Sequence, residues 1–196
     1  MAVEVPAVHT DVVLVRHAVA VPFTADGPGE LTRPLTGDGL RQALELVEPL
    51  TALRPVAVWS SPYRRAIQTV EPTARALGLT VHTRVELREW DDGLRYTDDW
   101  EPHYARSWAD PSYARPPGES LDQLSTRAVG VVRALAGEHA GRVVVAAGHG
   151  TFIARALCGF GVPVDWAFSR RMPMPAIYRL RFAGPRDGPA VTGDGL

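Results

Sequence analysis

The 196-residue chain has a single cysteine, Cys158, so it cannot close an internal disulfide. Its Cys and His residues also lack zinc-binding spacing, and no metal is expected. A reducing compartment follows as the simple expectation, and with it a cytoplasmic location. Met1 to Asp11 has no basic segment and no long apolar core, so no secretory leader is expected. No apolar run approaches the ~18 residues that read as a membrane span, which argues against a membrane partner. Charge bias is missing too: the formal net charge is -1. That argues against a dedicated nucleic-acid surface, and any anion must be bound locally by placed arginines. There is no internal repeat and no low-complexity block.

What remains is ordinary in composition. With 45% hydrophobic and 22% charged residues, the chain suits a globular fold with a sizeable core. We expect one domain over 1–196, with an inserted lid over about 90–118. A flexible tail is expected over about 184–196, where Gly, Pro and Asp accumulate. The stretch Val12-Val13-Leu14-Val15-Arg16-His17-Ala18 organises the rest. Four apolar residues, three of them β-branched, predict a strand buried on both faces, as in a parallel sheet. Arg16 and His17 then close that strand at its carboxyl end, where open α/β sheets bind ligands. A cation beside an imidazole suits a phosphate group, although ordinary polar residues ending a strand would look the same.

Val19 to Arg33 is a loop laid over that strand end. Thr36 is the expected N-cap of a helix from Leu40 to about Leu53, which Pro49 should kink or shorten. Leu40, Ala43, Leu44, Val47 and Leu50 form its apolar stripe. Val56 to Trp59 is a second buried strand. Ser61 and Pro62 are placed as N-cap and first residue of the next helix, which Pro72 should interrupt and Gly78 close. Leu79 to Val85 alternates as a third strand, with Leu87-Arg88-Glu89 behind it. Trp90 to Gly118 is long and irregular but rich in Trp and Tyr, which predicts a packed lid with short helical pieces. Ser120 and Gln123 form a capping box for the next helix. Arg142 to Ala147 is a fourth strand, ending in Gly148-His149-Gly150, with a helix from near Thr151. Ala176 to Phe182 alternates and reads as an edge strand.

The alternation of strands and helices predicts an α/β three-layer sandwich. Its sheet is mostly parallel, with helices on both faces, right-handed crossovers and an antiparallel edge strand. The carboxyl ends of the parallel strands then share one edge. Arg16 and His17 follow the first strand, Arg64 and Arg65 the second, Glu89 the third and His149 the fourth. Residues suited to phosphate chemistry therefore converge on one edge.

With these residues in place, the sequence resembles the histidine phosphatase superfamily, in the branch that holds phosphoglycerate mutases and related phosphatases. The family's Arg-His-Gly stands here as Arg16-His17-Ala18, and its Leu-Thr-x-x-Gly as Leu35-Thr36-Gly37-Asp38-Gly39. Its Ser-Pro-x-x-Arg-Ala-x-Gln-Thr runs from Ser61 to Thr69 and puts the second phosphate-binding arginine on Arg65 rather than Arg64. Leu87-Arg88-Glu89, Pro117-Gly118-Glu119-Ser120 and Gly148-His149-Gly150 complete a match running from about Val12 to Leu157. Three positions depart from the pattern. Ala18 replaces glycine, and Ala147 replaces the serine before the second histidine's motif. Phe23 stands where the family often has a phosphate-binding asparagine, so that contact is lost or passes to Thr24.

The resemblance implies a division of labour. Arg16 and Arg65 bind phosphoryl oxygens with forked donors, and Thr24 is a further candidate. His17 attacks through a neutral nitrogen, kept neutral by the neighbouring guanidiniums. His149 stabilises the phosphoryl oxygens in flight. Glu89 protonates the leaving oxygen and then serves as base for water; its alternative is a salt bridge with Arg88. Arg64 reads as a solvated helix-face residue, His9, His82, His103 and His139 as surface or loop residues, and Cys158 as a core residue. The lid aromatics read as packing, and Arg170 and Arg171 as surface residues. The leading expectation is a phosphatase needing neither metal nor cofactor, acting on a small phosphorylated metabolite. Alternatives are phosphoglycerate mutase-type transfer, a phosphohistidine-protein phosphatase, and a non-catalytic phosphate-binding protein. A homodimer is left open.

Overall fold

The computed structural model describes residues 9–94, 96–184 and 187–196. Arg95, Pro185 and Arg186, which fall in the expected lid and tail, lie outside the described residues, as do Met1 to Val8 of the expected leaderless start. Strand β1 (Thr10–Arg16) is the apolar run that organises the sequence. Val12 and Leu14 pack on one face and Val13 and Val15 on the other, with no solvent exposure. A strand covered on both sides is free to be apolar at every position. Strands β2 (Ala57–Ser60), β3 (Val81–Thr83) and β4 (Val143–Gly148) run parallel to it, in the order β3-β2-β4-β1. Strand β5 (Ala176–Phe182) joins β1 antiparallel, and β6 (Ala190–Gly193) joins β5 antiparallel.

Helices cover both faces, so the α/β class and mostly parallel sheet stand as expected. Helices α2 (Val47–Ala52) and α3 (Arg64–Ala76) bury Leu50, Ala66, Val70 and Ala74 against Val13 and Val15. Helix α1 (Gly37–Glu45) packs on α3 and starts at Thr36, whose side chain accepts from Gly39 N. On the other face, α5 (Leu121–Glu138) and α6 (Gly150–Gly159) bury Leu124, Val132, Phe152 and Leu157 against Val12 and Leu14. Ser120 and Gln123 form the expected capping box of α5. The segment after Leu87 carries α4 (Glu101–Ala109), and α7 (Trp166–Arg171) lies beside it, Trp100 and Tyr104 packing on Trp166. Among the described residues, no helix is long and apolar enough to cross a membrane.

Several expectations change. The helix after Thr36 is two helices meeting at Leu46, ahead of Pro49 as expected, and their buried face carries Gly39, Ala43, Leu46 and Leu50, which leaves Leu40 and Leu44 pointing outward, 46% and 63% exposed. Pro72 does not interrupt α3, whose buried Val70 and Ala74 hold it on the sheet across that residue. Ser61 is not the cap of α3, which begins at Arg64 after Tyr63; its hydroxyl is used elsewhere. The third strand is only three residues long, because a 3-10 turn at Val85–Leu87 follows it. Nor is β5 an edge. The tail expected to be flexible supplies β6, and Asp194 fastens it by accepting from Ile177 N (2.7 Å) and, through its carbonyl, from the Tyr178 hydroxyl (2.9 Å).

Candidate active site

The carboxyl ends of β1, β2 and β4 open into a cavity of about 680 Å³, lined by Arg16, His17, Arg65 and Glu89 together with lid residues. Arg16 is the last residue of β1, and His17 follows it into this cavity, only 7% exposed. Arg65 sits in the first turn of α3, 1% exposed, and its Nε–H donates to His17 Nε2 at 3.1 Å. A nitrogen that accepts a hydrogen bond carries no proton. Nδ1 therefore holds it and donates to Ala18 O at 2.7 Å. Both partners thus select one tautomer, with the Nε2 lone pair toward the arginine. Burial, then Arg65, push the imidazole down to about 3; the Ala18 carbonyl pulls the other way, and Arg16 and Arg33 each add a smaller push down.

His149 is fully buried at the N-terminus of α6, its ring 5.2 Å from that of His17. Its Nε2 meets the Ser61 hydroxyl at 2.8 Å. Ser61 Oγ already accepts from Tyr63 N (3.2 Å), and His149 Nε2 is the one acceptor that this buried hydroxyl meets among the described residues. Its proton therefore goes to Nε2, and the His149 proton sits on Nδ1. That Nδ1 is buried with no hydrogen-bond partner among the described residues. Burial, then Arg65 and His17, hold His149 well below the usual histidine range.

Glu89 follows the 3-10 turn and reaches the N-terminus of α6. Its Oε1 accepts from Trp90 N and Phe152 N, both at 2.9 Å, and its Oε2 from Thr151 N at 3.2 Å. One side faces the cavity and protein surrounds the rest. Burial raises its carboxyl above the usual range despite these three N–H groups and Arg65. The alternative pairing with Arg88 is not made; Arg88 lies 3.7 Å from Glu119. Arg16 Nη1 donates to the carbonyl of Met172 and to Pro173 O (3.4 Å), while its buried Nε has no hydrogen-bond partner among the described residues. Gly150 leaves room for this guanidinium: a Cβ there would meet it at 3.1 Å.

The structure thus brings together five of the six expected residues: Arg16, His17, Arg65, Glu89 and His149. Thr24 is not among them. It is exposed and does not line the cavity, whereas neighbouring Phe23 does, packing on Tyr96 of the lid. A count of residues along a loop does not fix which side chain turns inward. Arg64 is exposed, as expected of a helix-face residue. Sequence reasoning missed Glu30, Arg33 and the partnership of Ser61. Glu30 and Arg33 come from the loop over His17 and line the cavity; that loop's position over the strand end was the available signal. Ser61 stands in the Ser-Pro segment, where its spacing points to a helix cap and not to a histidine partner. Among the described residues no group of three or more His, Cys, Asp or Glu side chains could hold a metal ion.

This geometry agrees with what the chain is similar to. The family model described as histidine phosphatase superfamily (branch 1) matches residues 12–191, and the chain belongs to that superfamily. A probable phosphatase of Schizosaccharomyces pombe is 30% identical over 131 residues, covering 61% of this chain and 44% of the relative. The 55 kDa subunit of Saccharomyces cerevisiae transcription factor tau is 37% identical over 59 residues, 29% of this chain and 14% of that one. The chain thus spans less than half the length of the curated relatives it matches. Among solved structures, a mutant Entamoeba histolytica phosphoserine phosphatase in complex with phosphoserine superposes with a TM-score of 0.75 at 20% identity, covering 93% and 95% of the two chains. A mycobacterial glucosyl-3-phosphoglycerate phosphatase gives 0.75 at 22% identity, over 95% and 97%. The product of a Mycobacterium tuberculosis open reading frame gives 0.66 at 29% identity, over 93% and 95%.

Proposed function

We propose that the chain is a metal-independent phosphatase that hydrolyses a small phosphomonoester through a phosphohistidine on His17. The observation that carries this reading is the state of His17, neutral, with its Nε2 lone pair directed at Arg65 in the strand-end cavity. Arg16 and Arg65 take the phosphoryl oxygens. His149 donates its Nδ1–H to another oxygen. A buried unpaired donor costs ~1–3 kcal/mol, and a bound phosphoryl group recovers that cost. His17 Nε2 then attacks phosphorus, the bond to the ester oxygen breaks, and Glu89 passes its proton to the departing alcohol. Water attacks the phosphohistidine, Glu89 takes its proton, the P–N bond breaks, and His17 is neutral again.

The raised Glu89 carboxyl suits its role as acid. Oε2, with one bond at 3.2 Å against two at 2.9 Å for Oε1, is the oxygen freer to carry the proton. A small phosphorylated substrate is in keeping with the phosphatases among the relatives and neighbours. Hydrolysis is favoured over mutase-type transfer because Asp91 and Asp92 lie on the lid side of the cavity beside Arg88, a poor setting for retaining a bisphosphate. The test is acid- and base-quenched enzyme after brief exposure to substrate. A phosphate stable in base, labile in acid and absent from His17→Ala supports the reading; a label on Cys158 or a serine overturns it. Turnover should also survive exhaustive chelation, and loss restored by a divalent ion overturns the metal-independent part.

A further inference from the structure

Each of the three nitrogens of Arg65 is engaged by a protein partner. Its Nε is on His17, its Nη1 donates to Glu30 O (2.8 Å) and its Nη2 to Glu30 Oε2 (2.7 Å). The other carboxylate oxygen, Oε1, accepts from Arg33 Nη2 at 2.8 Å. Glu30 therefore sets one oxygen on each of two guanidiniums beside His17. That is the arrangement a tetrahedral oxyanion needs from the same donors. Resting on the reading of Arg65 as a phosphoryl ligand, we propose that Glu30 is an internal anion. It occupies the phosphoryl seat in the empty enzyme and competes with product phosphate for it.

The physics favours a displaceable occupant. The Arg65 side chain is 2% exposed, and a buried guanidinium needs a counter-charge at every stage of turnover. Glu30 is 39% exposed, so water screens it and its release into solvent costs little. It comes from a loop, which lets it leave without disturbing the sheet. Being tethered, it returns at a high effective concentration once the ester is cleaved. A phosphoryl dianion carries one more charge than the carboxylate and meets Arg16, Arg33 and Arg65 together, so it displaces Glu30 on binding. After hydrolysis the same competition weakens the hold on inorganic phosphate and so eases product release.

The experiment measures dissociation constants of tungstate and inorganic phosphate by calorimetry in the wild type, Glu30→Gln and Asp91→Asn. Asp91→Asn removes the same charge from the same cavity without touching Arg65. Glu30→Gln should bind both ions about tenfold tighter and be inhibited by phosphate at correspondingly lower concentration. Asp91→Asn should change either by less than about twofold. Unchanged or weaker binding in Glu30→Gln, or equal tightening in Asp91→Asn, overturns the proposal. His17-dependent turnover of p-nitrophenyl phosphate, measured alongside, tells the two readings apart. Turnover without tightening refutes the role of Glu30 alone, whereas no turnover and no ion binding in any variant refutes both.

Discussion

Proton placement decides what each site residue can do. Glu89→Gln keeps the hydrogen-bonding shape but removes the acid. A general acid contributes ~10²–10⁴-fold when the leaving alkoxide is poor, and little when an activated aryl group departs. Phosphorylation of His17 should slow strongly with alkyl phosphates and weakly with p-nitrophenyl phosphate. Because the second step has lost its base, the aryl substrate should give a burst and then slow turnover. Equal slowing on both substrates with no burst, in rapid-quench experiments, assigns Glu89 to structure. Ser61 offers a second test, since its hydroxyl puts the His149 proton on Nδ1. Nitrogen-15 NMR should show a single Nδ1–H tautomer in the wild type and in Ser61→Thr. Ser61→Ala should give a tautomer mixture and a roughly tenfold lower kcat, in line with loss of one transition-state donor. An unchanged tautomer in Ser61→Ala refutes the assignment. Arg16, His17 and His149 were legible in sequence because each ends or follows an apolar run whose direction fixes where its end points; Glu89, behind an alternating segment, and Arg65 needed the family motif as well. Glu30, Arg33 and Ser61 were not, because the path of a loop and the direction of a hydroxyl are set by tertiary contacts.

Among the elements, α6 does the most positioning, since its first N–H groups hold Glu89 while His149 and Gly150 begin it. The lid works from the other side of the cavity. Trp90 stacks edge-on with Tyr104 at 5.0 Å, and Tyr104 with Trp100 at 5.2 Å, so α4 is tied to the cavity wall by rings. Replacing residues 97–112 by a short Gly/Ser linker should leave kcat/KM for a small aryl phosphate within about threefold. The same change should alter the ranking among larger alkyl phosphates, measured with one substrate panel on both proteins. A uniform loss on every substrate points instead to a purely structural lid. The strands and most helices were readable because period-2 and period-3.6 patterns are local. Element ends were harder to read. Pro72 continues a helix that its buried neighbours hold in place, and Leu40 and Leu44 face water because the small Gly39 and Ala43, not the leucines beside them, face inward in line with Leu46 and Leu50. The tail looked loose by composition, yet the open side of β5 gave four of its residues a ladder to join.

At the scale of the whole molecule, two buried neutral histidines link the fold to pH. Both folded-state values lie below the ordinary 6.5, with His17 near 3. Above 6.5 neither state binds the proton and nothing changes. As pH falls below 6.5 the unfolded chain protonates both rings and the folded chain does not. Stability should then drop by up to about 2.7 kcal/mol per pH unit for the pair. Glu89 works the other way, because its raised value lets the folded state take a proton first on acidification. Asp11 adds a later loss: burial opposes its ionisation, but Arg179 and Arg181 outweigh burial and hold it low. Urea midpoints should therefore be flat from pH 8 to 7 and fall between 6 and 4; a flat profile throughout contradicts the buried neutral pair. The rings that tie the lid down have an optical consequence as well. Trp90, Trp100, Trp108 and Trp166 form a connected array through Tyr104, with Trp100 and Trp166 6.2 Å apart at 87°. Trp59 stands apart beside His82, His139 and Arg84. Indoles this close couple their transition dipoles and exchange excitation energy, so the array should give a couplet in circular dichroism to which Trp59 adds only background. In a Trp59→Phe protein, emission and dichroism would then report the position of the lid directly, with no attached dye.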